Sequence, residues 1–148
     1  MTVTIRPLRA EDRPEWDVLY KGYADFYKVE QTPEMRDVVF GWLMDPDHGS
    51  KGLVAVESGG RLIGLTHYRP FASPLRAWTN CFLDDLFVDP AARGSGAADA
   101  LIDGVAAVAR ENGWPVVRWI TADDNYRGRG VYDKTATRTM WITYDKKV

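Results

Sequence analysis

The sequence predicts an α/β domain, a mixed central sheet flanked by helices, on three observations. Period-2 and period-3.6 hydrophobic patterns alternate along the chain, so strands and helices interleave. A buried-strand run, Cys81 to Val88, passes through a glycine-containing loop into the strongest helix pattern, Gly96 to Asn112. The length, 148 residues with no repeat and no Gly/Ser linker, fits a single domain over 1–148.

Each element has its own signal. Thr2 to Leu8 alternates, with Val3 and Ile5 on one side, and predicts a strand. Asp12 with Glu15 three residues later reads as a capping box, and Pro14 sits in the first turn. Trp16, Leu19, Tyr20, Tyr23 and Tyr27 follow at helical spacing. Thr32-Pro33 opens a second helix, whose expected buried stripe is Met35, Val38, Val39, Trp42 and Leu43; Asp45-Pro46 ends it. Leu53–Glu57 and Arg61–Arg69 flank Ser58-Gly59-Gly60 and predict a hairpin. In the long helix, Leu101, Ile102, Val105, Val108 and Ala109 form the core face, and Asn112-Gly113 supplies a left-handed stop. Val116–Thr121 predicts a short buried strand, Tyr126–Lys134 a weaker helix, and Arg138–Tyr144 a last β-branched and aromatic strand.

Composition removes several functions. Nineteen basic against twenty-one acidic residues, net −2, argue against nucleic acid or an anionic membrane as the main partner. One cysteine, Cys81, allows neither an intramolecular disulfide nor a cysteine metal cluster. His48 and His67 are too few and too separated for a histidine metal site, so no metal is expected. The opening MTVTIRPLRAEDR lacks an apolar signal core, and no apolar run nears membrane-spanning length; the expected location is the cytoplasm.

The segment Leu83-Asp84-Asp85-Leu86-Phe87-Val88-Asp89-Pro90-Ala91-Ala92-Arg93-Gly94-Ser95-Gly96-Ala97-Ala98 carries the most chemistry. Small residues at 94–98 let backbone approach a ligand, and the unpaired N–H groups of a helix N-terminus favour anions. Arg93 adds a guanidinium fork suited to phosphate oxygens. The competing reading is a tight turn that needs glycine for geometry alone. A Walker loop does not fit, because Lys and Ser/Thr are missing after the second glycine. The dinucleotide fingerprint does not fit either, since its third small position falls on Asp99 and strands precede it.

The loop resembles the Arg/Gln-x-x-Gly-x-Gly/Ala signature of the GCN5-related N-acetyltransferases, here Arg93-x-x-Gly96-x-Ala98. Leu-Asp-Asp-Leu-Phe-Val-Asp-Pro is similar to the family's fourth strand. Asn125, followed seven residues later by Tyr132, resembles its Asn-x-x-Ala-x-x-Leu-Tyr segment. The resemblance implies that family's acyl-CoA N-acyltransferase fold and acetyl-CoA as co-substrate. It implies that backbone groups of Leu86, Phe87 and Val88 hold the pantetheine arm, and that amides of Arg93, Gly94, Ser95, Gly96, Ala97 and Ala98 hold the pyrophosphate. Asn125 would contact the pantetheine amide, and Tyr132 would protonate the departing thiolate. Tyr132 could also be a half-buried aromatic that packs a short helix.

An attacking amine must be neutral, and freeing a lysine-like lone pair at pH 7 costs roughly 4–5 kcal/mol. Asp84 and Asp85 are the candidates to draw off that proton through water; the family's first acidic position points to Asp84, one methylene shorter than the usual Glu. Strand neighbours face opposite sides, so one of the two is expected in the cleft unless a bulge changes the parity. The family's Tyr-Glu-Lys-x-Gly-Phe turn is replaced by Tyr132-Asp133-Lys134-Thr135-Ala136-Thr137, and Gly128 and Val131 replace the common Ala and Leu. Tyr20, Tyr23, Phe26 and Tyr27 read first as core, with an aromatic cleft near Asp25 and Glu30 as the alternative. His67 and Cys81 read as core residues. The expected function is transfer of acetyl to a small amine, polyamine or peptide amine in a ternary complex, and a homodimer is compatible with it. The rivals are a non-catalytic acyl-CoA-binding regulatory module and a nucleotide-binding domain.

Overall fold

The computed structural model describes residues 2–148. Five strands form one sheet in the order β1 (Val3–Pro7), β2 (Lys51–Glu57), β3 (Leu62–Ser73), β4 (Trp78–Val88) and β5 (Val117–Arg118). The first four pair antiparallel and β5 joins β4 in parallel, which makes the sheet mixed as expected. The four helices are α1 (Arg13–Phe26), α2 (Pro33–Met44), α3 (Ala97–Glu111) and α4 (Tyr126–Thr135). None of them is long and apolar enough to cross a membrane.

Two cores lie on the two sheet faces. On one, Leu101, Ile102, Val105 and Ala109 of α3 pack on Leu53, Ile63, Cys81 and Leu83, with Tyr132 of α4 at the margin. On the other, Trp16 and Leu19 of α1 and Phe40 and Leu43 of α2 pack on Val54, Leu62 and Leu65. The predicted face of α3 is the one buried, which is what its 3.6-residue spacing requires.

Four expectations need correction. Thr32 caps α2 as predicted, with Oγ1 accepting from the Met35 N–H at 3.2 Å, but the stripe is displaced. Met35, Val38 and Trp42 are exposed, while Arg36, Phe40 and Leu43 are buried. The cause is Arg36, which periodicity counts as polar but which pairs with Asp17 at 3.0 Å. The Asp12/Glu15 box does not form. Asp12 binds the Arg6 guanidinium and the Arg9 N–H instead, and Glu15 accepts from the Leu62 N–H, tying α1 to β3.

The other two corrections concern the end of the chain. Only Val117–Arg118 of the predicted 116–121 strand pairs with β4, and Ile120 is exposed. Arg138–Tyr144 forms no strand; residues 136–148 run along the surface without sheet partners. A strand exists only through a neighbour's hydrogen bonds, and this segment has none within its own chain.

Candidate active site

The site begins where β4 and β5 part. β5 pairs with β4 only at Cys81 and Phe82, so from Leu83 onward that edge of β4 has no strand beside it. Its other edge is taken by β3, with Leu86, Phe87 and Val88 opposite Thr66, Leu65 and Gly64. The backbone of Leu86–Val88 therefore presents a free edge to a cleft, where an extended ligand could add as a strand.

That cleft has a volume of about 650 Å³ and is walled by Leu86–Val88, the loop Ala92–Asp99, Asn125 and Tyr132 of the α4 region, and Tyr23, Phe26 and Tyr27 of α1. The loop half is built from backbone. Gly94 and Gly96 both have φ of +82°, a left-handed conformation that L side chains rarely adopt. With Gly96 as its N-cap, α3 starts at Ala97, and the N–H groups of Gly94, Gly96 and Ala98 have no acceptor among the described residues. Free amides at a helix N-terminus, with Arg93 beside them, suit an anion such as a pyrophosphate. Free strand edge, amide nest and cleft volume together fit coenzyme A.

At the α4 wall, Asn125 caps the helix. Its Oδ1 accepts from the Gly128 N–H at 3.3 Å, and its Nδ2 donates to Thr121 Oγ1 at 2.9 Å. This explains glycine at 128, since a Cβ there would stand 2.5 Å from Asn125 Nδ2. Tyr132 packs edge-on against Trp119, with ring centroids 5.4 Å apart. Burial and then the neighbouring Tyr27 push its phenol up to about 12, so the proton stays on oxygen through the neutral range.

Asp84 and Asp85 lie outside the cleft wall, just upstream of Leu86, and a bulge governs them. His67 pairs with Asp85 and Tyr68 with Leu83, which leaves Asp84 as the extra residue of β4. The expected opposition of the two side chains is therefore lost. Asp84 pairs with Arg69 at 3.1 Å, and Asp85 accepts from Tyr20 of α1 at 3.0 Å, so both turn toward the α1 face.

Their environments differ. Burial raises the Asp84 carboxyl above the ordinary range despite Arg69. Burial acts the same way on Asp85, but His67 and the Tyr20 and Tyr23 hydroxyls outweigh it and hold the group low. His67 links this anion to the core. Trp16 Nε1–H can only donate, and it donates to His67 Nε2 at 3.0 Å, so the ring proton sits on Nδ1, 2.8 Å from Asp85.

Sequence reasoning missed the role of His67, whose only signal was its alternating strand. Of the four α1 aromatics read first as core, Tyr20 does pack against it. Tyr23, Phe26 and Tyr27 line the cleft, and Tyr23 and Tyr27 contact each other at 5.0 Å between centroids. Burial and Asp85 raise the Tyr20 and Tyr23 phenols, which stay neutral. Cys81 is buried packing, its thiol pushed by burial, and less by Asp84, to about 11.

A mixed sheet with a splayed fourth strand, and an amide nest at the next helix, define a class of acyl-CoA-dependent transferases. The model of the acetyltransferase (GNAT) family matches residues 16–136, and the chain belongs to that family. It is accordingly an N-acetyltransferase, of a family that uses acetyl-CoA. It is similar to the D-amino-acid N-acetyltransferase HPA3 of Saccharomyces cerevisiae, 29% identical over 97% of this chain and 90% of the yeast protein. An uncharacterized N-acetyltransferase, YhfO of Bacillus subtilis, is 27% identical over 89% of this chain and 87% of its own. Among solved structures, a ribosomal-protein-alanine N-acetyltransferase from Brucella melitensis biovar Abortus 2308 superposes with a TM-score of 0.82 at 25% identity, covering 99% of this chain and 100% of that one. An aminoglycoside acetyltransferase, AAC(6')-Iy in complex with a bisubstrate analog, shares the fold at a TM-score of 0.86 and 18% identity, covering 100% of this chain and 99% of that one.

Proposed function

We propose that this enzyme moves acetyl directly from acetyl-CoA to a small primary amine, with both substrates bound together in the cytoplasm. The observation that carries this reading is one cleft that joins the free β4 edge and the Gly94–Ala98 amides to Tyr132 and an aromatic α1 wall. Acetyl-CoA supplies an activated thioester there. Leu86, Phe87 and Val88 hold its arm by backbone hydrogen bonds, the amides from Arg93 to Ala98 hold its pyrophosphate, and Asn125 borders the arm.

Tyr132 keeps its proton at the phenol oxygen and gives it to the departing sulfur. The burial that raises the phenol also disfavours a bare thiolate, so protonation of the departing sulfur is favoured in the same site. On the amine side, Asp84 takes the acceptor's proton through water. It is the less buried of the two carboxylates and the one whose affinity for a proton is raised. Asp85 is a positioning residue that fixes Tyr20 and, through it, the acceptor wall. Tyr23, Phe26 and Tyr27 give an amine an aromatic surface that tolerates positive charge before deprotonation.

The test is thiol release from acetyl-CoA across a panel of D- and L-amino acids, polyamines and alanine-ended peptides. The yeast relative's named activity puts amino acids first in that panel. Intersecting initial-velocity lines are expected for the best acceptor. Parallel lines would replace the ternary complex with an acetylated enzyme, and no release with any amine would favour a binding module without turnover.

A further inference from the structure

The sheet face that carries Asp84 also holds two guanidinium groups that the proposed transfer leaves unused. Cys81 and Leu83 of β4 turn into the α3 core, so Phe82 between them turns to the opposite face. Arg69 of β3 stands opposite Phe82, its guanidinium carbon 4.9 Å from the ring centroid. Phe71, two residues along β3, meets Phe82 edge-on with centroids 5.8 Å apart. Arg118 of β5 pairs with Phe82 from the other side, and its guanidinium carbon lies 5.9 Å from the Phe71 centroid. Two touching rings thus carry one guanidinium each.

These two arginines differ from the rest. Arg6, Arg13, Arg36 and Arg61 each place a terminal nitrogen on a protein oxygen. Arg69 reaches Asp84 through Nε alone, at 3.1 and 3.3 Å, and its two terminal nitrogens have no acceptor among the described residues. Its side chain is 43% exposed, which leaves those donors open to a ligand. Arg118 makes no ion pair or side-chain hydrogen bond among the described residues. An arginine fork held flat on an aromatic ring, with its terminal N–H groups unengaged, suits a carboxylate.

We propose that this floor holds the carboxylate of the acceptor, with Arg69 gripping it and Arg118 adding charge, and that the acceptor is a free α-amino acid. The inference rests on the proposed transfer to an amine and narrows it. Arg69 and Asp84 are in contact, so an acceptor whose carboxylate sits on Arg69 brings its amine to Asp84 only when the two groups are close together. They are closest when both stand on one carbon. The charges match as well, amine toward Asp84 and carboxylate toward the arginines. A polyamine offers the arginines nothing to bind and meets them as like charge.

Thiol release from acetyl-CoA with D- and L-alanine and phenylalanine, each beside its carboxamide, tests this. Arg69→Gln also releases Asp84, which changes the rates with acid and carboxamide alike. The acid alone should lose a further factor of about 10 to 100 in kcat/KM, mostly through KM, the range of a charge-assisted pair. Arg118→Gln, which leaves the Arg69–Asp84 contact in place, should act in the same direction by a smaller factor. Equal losses for acid and carboxamide in Arg69→Gln overturn the proposal. A wild type that acetylates polyamines but no amino acid overturns it too, with the transfer reading intact. Absence of thiol release with every amine removes the transfer reading, and calorimetry on the coenzyme A-loaded enzyme then decides separately. N-acetylalanine should bind about 10-fold more tightly than N-acetylalaninamide, and Arg69→Gln should erase the difference. Equal binding of the two by the wild type, or none, overturns the carboxylate site.

Discussion

The two halves of the cleft are built from different material. The loop half is backbone: two left-handed glycines, a strand edge and a helix N-terminus. The α1 half is side chains: Tyr23, Phe26 and Tyr27 line it, backed by Tyr20 and by a carboxylate pair, held by Arg69 and His67, that lies outside the wall. Backbone sites tolerate few residue types, whereas side-chain sites can be rebuilt one residue at a time. The first half accordingly reports the family, and the second is the half to which the proposed function assigns the acceptor.

Damage to the backbone half should have the largest effect. Gly96→Asp forces a side chain into φ +82° and puts a carboxylate where an anion belongs. Affinity for coenzyme A should fall by about 100-fold or more, since strain and charge each contribute on the order of 1–2 kcal/mol. Calorimetry should read the loss, with the melting transition largely retained. Equal loss on Gly113→Asp, at a left-handed glycine remote from the cleft, would break the comparison.

Within the side-chain half, Asp84→Asn should lower kcat by roughly 10- to 100-fold, within the range of general-base effects, and move the rise of activity to higher pH. Asp85→Asn should act more on stability, costing about 2 kcal/mol because a buried charged acceptor loses its bonds. The pH signs follow from the two carboxyls. Asp85 and Asp12 are held below their unfolded values, so each contributes stability fully present above about pH 4 and lost as pH falls through its folded value. Asp84 is raised and opposes folding where it must ionise. A pH-stability curve of Asp85→Asn should therefore converge on wild type in acid. Parallel curves would deny Asp85 its depressed affinity.

The smallest expected effect is at the α4 cap. Gly128→Ala should displace Asn125 and cost about 1 kcal/mol, the usual worth of a cap, with a modest rise in KM for acetyl-CoA. Thermal unfolding and steady-state kinetics read both.

The sequence-level reading succeeded where local geometry restricts residue choice. Gly94, Gly96, the α3 core face and Thr32 all sit where it predicts, because turns, caps and periodicity are local properties. It could not place Asp84 and Asp85, since their shared face depends on a one-residue slip between β3 and β4. Arg36 in the α2 core is invisible to periodicity because its partner, Asp17, lies on another helix. His67 gained meaning only from Trp16 and Asp85, 51 and 18 residues away. The Arg138–Tyr144 pattern is legible as a strand, yet a strand exists only when paired, and no described strand pairs with it.

Tyr132→Phe keeps the ring against Trp119 and removes one hydroxyl from the cleft, so it tests proton donation with the least disturbance. With the true acceptor, kcat should fall by about 100-fold or more, typical of a lost general acid, while KM for acetyl-CoA stays near wild type. Unchanged kcat in that variant would contradict the assignment of Tyr132 as the proton donor.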